Sequence, residues 1–149
     1  MKNMVFRKVL YGISILALIG TIGGSILLPY LGNWYLNSRS LGNVSVATLI
    51  FIYTTIVPFL LILFSVIKLS KNLMKDNSFL RENLNALKII SICSFIDFII
   101  YLIGTIFIFK NLVCFVLTFA TLMVFIISYV IKELIKNGIE IKDENDLTI

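Results

Sequence analysis

Asp97 is the one charged residue inside any of the long apolar runs of this 149-residue chain. Its neighbours at helical spacing are Ser94, Tyr101 and Gly104, which place a polar and small stripe on one helix face. An ionised carboxylate in a membrane interior costs at least ~2.5–3.5 kcal/mol on insertion scales, so this group should face protein and not lipid. No Lys or Arg shares the run, and desolvation then favours the neutral acid. Two chemistries fit. One is a proton or cation site; the other is an uncharged acid that hydrogen-bonds to hydroxyls and holds helices together. Ser14, Thr21 and Thr121 fall at similar depth on other runs and offer such hydroxyls.

Little else has the residue types of a reaction centre. Histidine is absent, which removes the commonest metal ligand and the usual base near neutral pH. Cys93 and Cys114 lie in apolar runs and read as small buried hydrophobes. The acids Glu140, Asp143, Glu144 and Asp146 lack the spacing and the glycine of a calcium loop. No nucleotide loop, zincin motif or serine elbow occurs. A protein that is not an enzyme, with no cofactor and no metal, is the expectation.

The elements that must position Asp97 are membrane spans. The chain is 59% hydrophobic and 14% charged, with mean hydropathy +1.02, against about 25% charged for a soluble domain. The net charge of +5 comes from basic residues at the ends of apolar runs, where they meet lipid headgroups. No basic face is interleaved with aromatics, so a lipid bilayer is the expected partner and nucleic acid is not.

Four spans are expected, at residues 9–31, 44–67, 89–109 and 112–131, within one membrane domain covering 1–149. The first is too long for a signal-peptide core. Pro29 and Gly32 should mark its end, with Tyr30, Trp34 and Tyr35 as interface aromatics. Residues 33–43 read as a polar connector. Pro58 lies inside the second span, where the hydroxyls of Thr54 and Thr55 are placed to compensate for the lost backbone bond. Lys110 and Asn111 alone join the last two spans, which must therefore be antiparallel neighbours.

Residues 68–88 form a polar island. Leu69 and Leu73 continue one apolar face beyond the second span; Asp76, Asn77 and Ser78 offer a break; Leu80, Leu84 and Leu87 then stripe a second amphipathic helix. A helical hairpin extension follows from this pattern. In the tail, 132–149, Gly138 should cap the last helix, and Ile139 and Ile141 alternate with Glu140 and Lys142 in a short extended segment. Eleven of the thirteen basic residues lie in the N-terminus, island and tail, so all three should be cytoplasmic in a bacterial inner membrane.

In the first span Gly20 and Gly24, flanked by Ala17 and Thr21, provide small residues at a spacing of four. Internal packing against the other spans is the expected use, with a homodimer face as the alternative.

The chain resembles the bacterial membrane proteins of domain-of-unknown-function family 2975. The likeness rests on Phe79, Glu82, Asn83, Leu84 and Leu87 after the second span. It also rests on a tail of Gly138, Ile141, Glu144, Asp146, Leu147, Thr148 and Ile149. Ser78 stands where the family commonly has proline, and Leu80 where it often has a small hydroxyl residue. The resemblance implies four spans, no established enzymatic activity, and genes often accompanied by one for a small helix-turn-helix regulator.

The architecture expected is thus an all-α integral membrane protein, a four-helix antiparallel bundle. The leading functional expectation is a cytoplasmic platform for a regulatory partner, using Phe79, Arg81, Glu82, Asn83, Leu84, Leu87, Glu144, Asp146, Leu147, Thr148 and Ile149. The alternatives are a small dimeric transporter built on Asp97, Ser94, Tyr101 and Thr121, or an immunity or stress protein against a membrane-active peptide.

Overall fold

The computed structural model describes residues 2–74 and 81–146, and their regular elements are all helices. These are α1 (Lys2–Ser38), α2 (Val46–Met74), α3 (Arg81–Ile103, continued by a π-helical segment, Gly104–Phe109) and α4 (Leu112–Asp146). Four stretches are long and apolar enough to cross a membrane: Arg7–Ser38, Val46–Met74, Arg81–Phe109 and Leu112–Asn145. Helices suit that setting because they satisfy their own backbone groups where no water can. The protein is a multi-pass membrane protein.

Each helix packs on its neighbour in sequence, α1 on α2, α2 on α3 and α3 on α4. Polarity in this bundle is the inverse of a soluble core. Among the described residues ten polar side chains are buried against eight apolar ones, Pro58 included. Ser65 and Ser70 on α2, Ser91 and Ser94 on α3, and Thr118 and Ser128 on α4 face the interior, while Leu16, Phe107 and Leu112 stand outward. With lipid outside, apolar surface need not be hidden, and small hydroxylated residues let helices approach and hydrogen-bond.

Several boundaries differ from the sequence expectation. Pro29 and Gly32 do not end α1, which runs on to Ser38; a proline removes one backbone bond, and the helix keeps the rest. The connector therefore shortens to a turn in which Ser40 (φ 57°) and Gly42 (φ 82°) adopt left-handed backbone. Asn33 Oδ1 accepts from the Val44 amide at 2.9 Å and ties this turn back to α1. Ser45 Oγ accepts from the Thr48 amide at 3.1 Å and caps α2. At Pro58 the hydroxyls of Thr54 and Thr55 donate to the carbonyls of Ile50 and Ile52. They do not reach the carbonyl that the proline leaves free.

The tail is the larger correction. Gly138 does not cap α4 and no extended segment follows among the described residues; the helix continues to Asp146. Glycine in a helix interior costs ~1 kcal/mol relative to alanine. Burying an isoleucine returns ~1.5–3 kcal/mol, and Ile139 is only 8% exposed. Packing outweighs propensity. Nor is the hairpin extension a separate element: the stretch is the ends of two spanning helices, α2 up to Met74 and α3 from Arg81. The break expected at Asp76, Asn77 and Ser78, together with Phe79, Leu80, Leu147, Thr148 and Ile149, lies outside the described residues.

Candidate functional site

Asp97 is 2% exposed and Ser94 fully buried on the inner face of α3. With Tyr101 and Thr121 they line a cavity of ≈ 240 Å³, walled by Phe59 and Ile62 of α2 and by Leu117, Ala120 and Val124 of α4. The i, i+3, i+4 geometry of a helix aligns the three α3 side chains, and antiparallel packing brings Thr121 across from them. The hydroxyls do not serve the acid, however. Ser94 Oγ donates to Ile90 O at 2.7 Å, and Thr121 Oγ1 sits 3.0 Å from the carbonyls of both Leu117 and Thr118. Asp97 Oδ1 is buried without a hydrogen-bond partner among the described residues. Ser14 and Thr21 donate to carbonyls of their own helix, at 2.8 Å each, and do not line the cavity.

A second cavity of ≈ 220 Å³ is lined by Thr48, Phe51, Thr55, Phe109, Asn111 and Cys114, and shares Tyr101 and Leu117 with the first. Phe51 meets Tyr101 and Phe109 edge-on, with ring centroids 5.6 and 4.9 Å apart. It can do so because Gly104 has no side chain: a Cβ there would overlap the Phe51 ring. Lys110, in left-handed backbone at φ 45°, ends the π-helical segment. Asn111 Oδ1 then accepts from the Cys114 amide at 2.9 Å to start α4.

At the opposite end α2, α3 and α4 run on together as a polar head. Asn72 Nδ2 donates to Asn83 Oδ1 at 2.8 Å. Lys68 pairs with Glu82 at 3.6 Å, and Arg81 with Asp143 at 3.3 Å. Ala86, Leu87 and Ile139 are buried beneath. A groove of ≈ 390 Å³ remains between α3 and α4, lined by Arg81, Leu84, Asn85, Lys136, Ile139, Glu140 and Asp143. Arg81, Glu82, Asn83, Leu84 and Leu87 thus gather at the head, and Glu144 lies on the adjoining turn of α4, with Asp146 closing that helix. Arg81 and Leu84 line the groove, whereas Asn83 and Leu87 are buried.

The small-residue stripe of α1 leaves open space beside its two glycines. A Cβ added at Gly20 or Gly24 would meet nothing within 4 Å. Gly24 lines a groove that α1 forms with α2, opposite Ser45, Thr48 and Ile52. Ala17 and Thr21 are half-buried beside them.

Sequence reasoning missed the α2 wall of the Asp97 cavity, Asn72 as the partner of Asn83, and the 3.2 Å contact between the hydroxyls of Thr105 and Thr118. The pairing of Asn72 and Asn83 had a signal, two amides flanking the polar break. Cys93 and Cys114 are free thiols, and among the described residues no three His, Cys, Asp or Glu side chains gather as metal ligands.

A family model described as "Protein of unknown function (DUF2975)" matches residues 37–149. The chain belongs to this family. The DUF2975 match takes in α2, α3 and α4, hence both the Asp97 cavity and the polar head. A relative, the "Uncharacterized membrane protein YoaS" of Bacillus subtilis (strain 168), is 28% identical over 161 aligned residues. That alignment covers 99% of this chain and 98% of the relative. No solved structure matches the chain.

Proposed function

We propose that this DUF2975 protein is a non-enzymatic bacterial inner-membrane protein whose polar head is a cytoplasmic platform for a soluble regulatory partner. The observation that carries the reading is the docking of the end of α4 on the start of α3. Ile139 is buried there and Arg81 meets Asp143. The head is consequently a preformed three-helix surface, so a partner need not supply the free energy of ordering it. Its groove mixes apolar Leu84 and Ile139 with charges of both signs, the composition of a protein-binding rim around an apolar centre. The distribution of Lys and Arg supports placing the head and both termini in the cytoplasm. A small helix-turn-helix regulator is the partner class that the family resemblance implies.

The test uses tagged full-length protein purified from native membranes, with co-purifying proteins identified by mass spectrometry. Ile139→Asp should leave the four spans inserted, undock the end of α4 and release one soluble partner that the wild type retains. An unchanged set of co-purifying proteins in a variant with a demonstrably undocked α4 would contradict the platform.

A second reading, transport by way of Asp97, is favoured by the unpartnered Oδ1 in its cavity.

A further inference from the structure

We propose that the cavity between α2, α3 and α4 at Asp97 is a binding site for a small lipophilic ammonium ion. Buried polar atoms almost always have a hydrogen-bond partner, and Asp97 Oδ1 has none among the described residues. The hydroxyls of Ser94 and Thr121 in the same cavity make their hydrogen bonds to carbonyls of their own helices. No described side chain donates to this oxygen, and a donor carried by a ligand would complete the site. No Lys or Arg among the described residues lines the cavity, so a positive charge that pairs with Asp97 must be brought by the ligand.

The walls specify the rest of that ligand. Its oxygen donors are a single carboxylate, the hydroxyls of Ser94 and Thr121, and the phenol of Tyr101; Phe59, Ile62, Leu117, Ala120 and Val124 are apolar. A hard metal ion seeks roughly six or more oxygen ligands, more than this wall presents. An ammonium group on a hydrocarbon body asks for less: one salt-bridged hydrogen bond to Asp97 and apolar contact elsewhere. At ≈ 240 Å³ the space lies just below the roughly 300–1,000 Å³ of drug-sized sites. That limits the body to one ring or one short chain. The second cavity adjoins the first at Tyr101 and Leu117 and extends to Asn111. It offers a route from the end opposite the polar head, with the Tyr101 ring as the partition. The inference is independent of the platform at the head.

The experiment is thermal unfolding of the full-length protein in lipid nanodiscs with benzylammonium chloride. Benzyl alcohol serves as the uncharged analogue, and sodium chloride at equal ionic strength as the salt control. Benzylammonium at saturation should raise the melting temperature by about 2–4 °C, while benzyl alcohol and sodium chloride leave it unchanged. Asp97→Asn should abolish the shift. Ala120→Phe, which fills the cavity and keeps the acid, should abolish it too, and this variant decides the matter if Asp97→Asn does not fold. No shift in the wild type would overturn the site. Equal shifts in wild type and both variants would assign the effect to the bilayer. A shift with sodium alone would replace the ammonium ion by a metal ion.

Discussion

Asn72 Nδ2 donates to Asn83 Oδ1 at 2.8 Å, joining α2 to α3 at a point where Asn83 is completely buried. The bond lies within one turn of the described end of α2 and of the start of α3. It sets the register in which Lys68 reaches Glu82 on the same pair of helices. The head therefore begins as a fixed junction, and α4 docks on what that junction presents.

A double-mutant cycle should measure it. Asn72→Ala, Asn83→Ala and the double variant, unfolded in mild detergent, should give a coupling of about 0.6–1.7 kcal/mol, the range of side-chain bonds between membrane helices. Additive effects would mean that the amides act separately.

Gly104→Ala should destabilise by about 1–3 kcal/mol, as overpacking does, because its Cβ would overlap the Phe51 ring. Phe51→Leu in the same chain should restore most of the loss. If Gly104→Ala still destabilises in the Phe51→Leu background, the cause lies in the π-helical backbone and not in the ring contact.

Removal of residues 140–149 should loosen the start of α3. Hydrogen exchange of amides 81–88 should quicken while the apolar spans stay protected. Charge reversal by Arg81→Glu should do far less than Ile139→Asp. The Arg81–Asp143 pair has side chains 83% and 54% exposed, and exposed pairs contribute ~0–1 kcal/mol. Unchanged protection after truncation would make α3 and α4 independent at this end.

Topology is accessible to fusions. A reporter enzyme active only outside the cytoplasm, attached after Arg39 and separately after Lys88, should be active at Arg39 and silent at Lys88. The opposite pattern would invert the head.

What the sequence makes legible here is what helical periodicity carries. Ser94, Asp97 and Tyr101 share a face because they are three and four residues apart, and their shared cavity follows from that spacing. Phe59, Ile62 and Ala120 were out of reach. Their helices are apolar nearly all round, so no polar side tells which way each is rotated. Gly138 misled for a different reason: cap preferences are local, and burial of Ile139 on α3 is a long-range term that outweighs them. Gly20 and Gly24 carry a packing signal without naming the partner, and no neighbour among the described residues occupies the space beside them.

The platform is tested most directly by a photo-crosslinking amino acid placed at Asn85, in the head groove, in living cells, with Leu16 on the lipid-facing side of α1 as the control. Asn85 should form a covalent adduct with a single soluble protein, and Leu16 should form none. Failure of Asn85 to cross-link any soluble protein, with the variant inserted and its α4 docked, would contradict the platform.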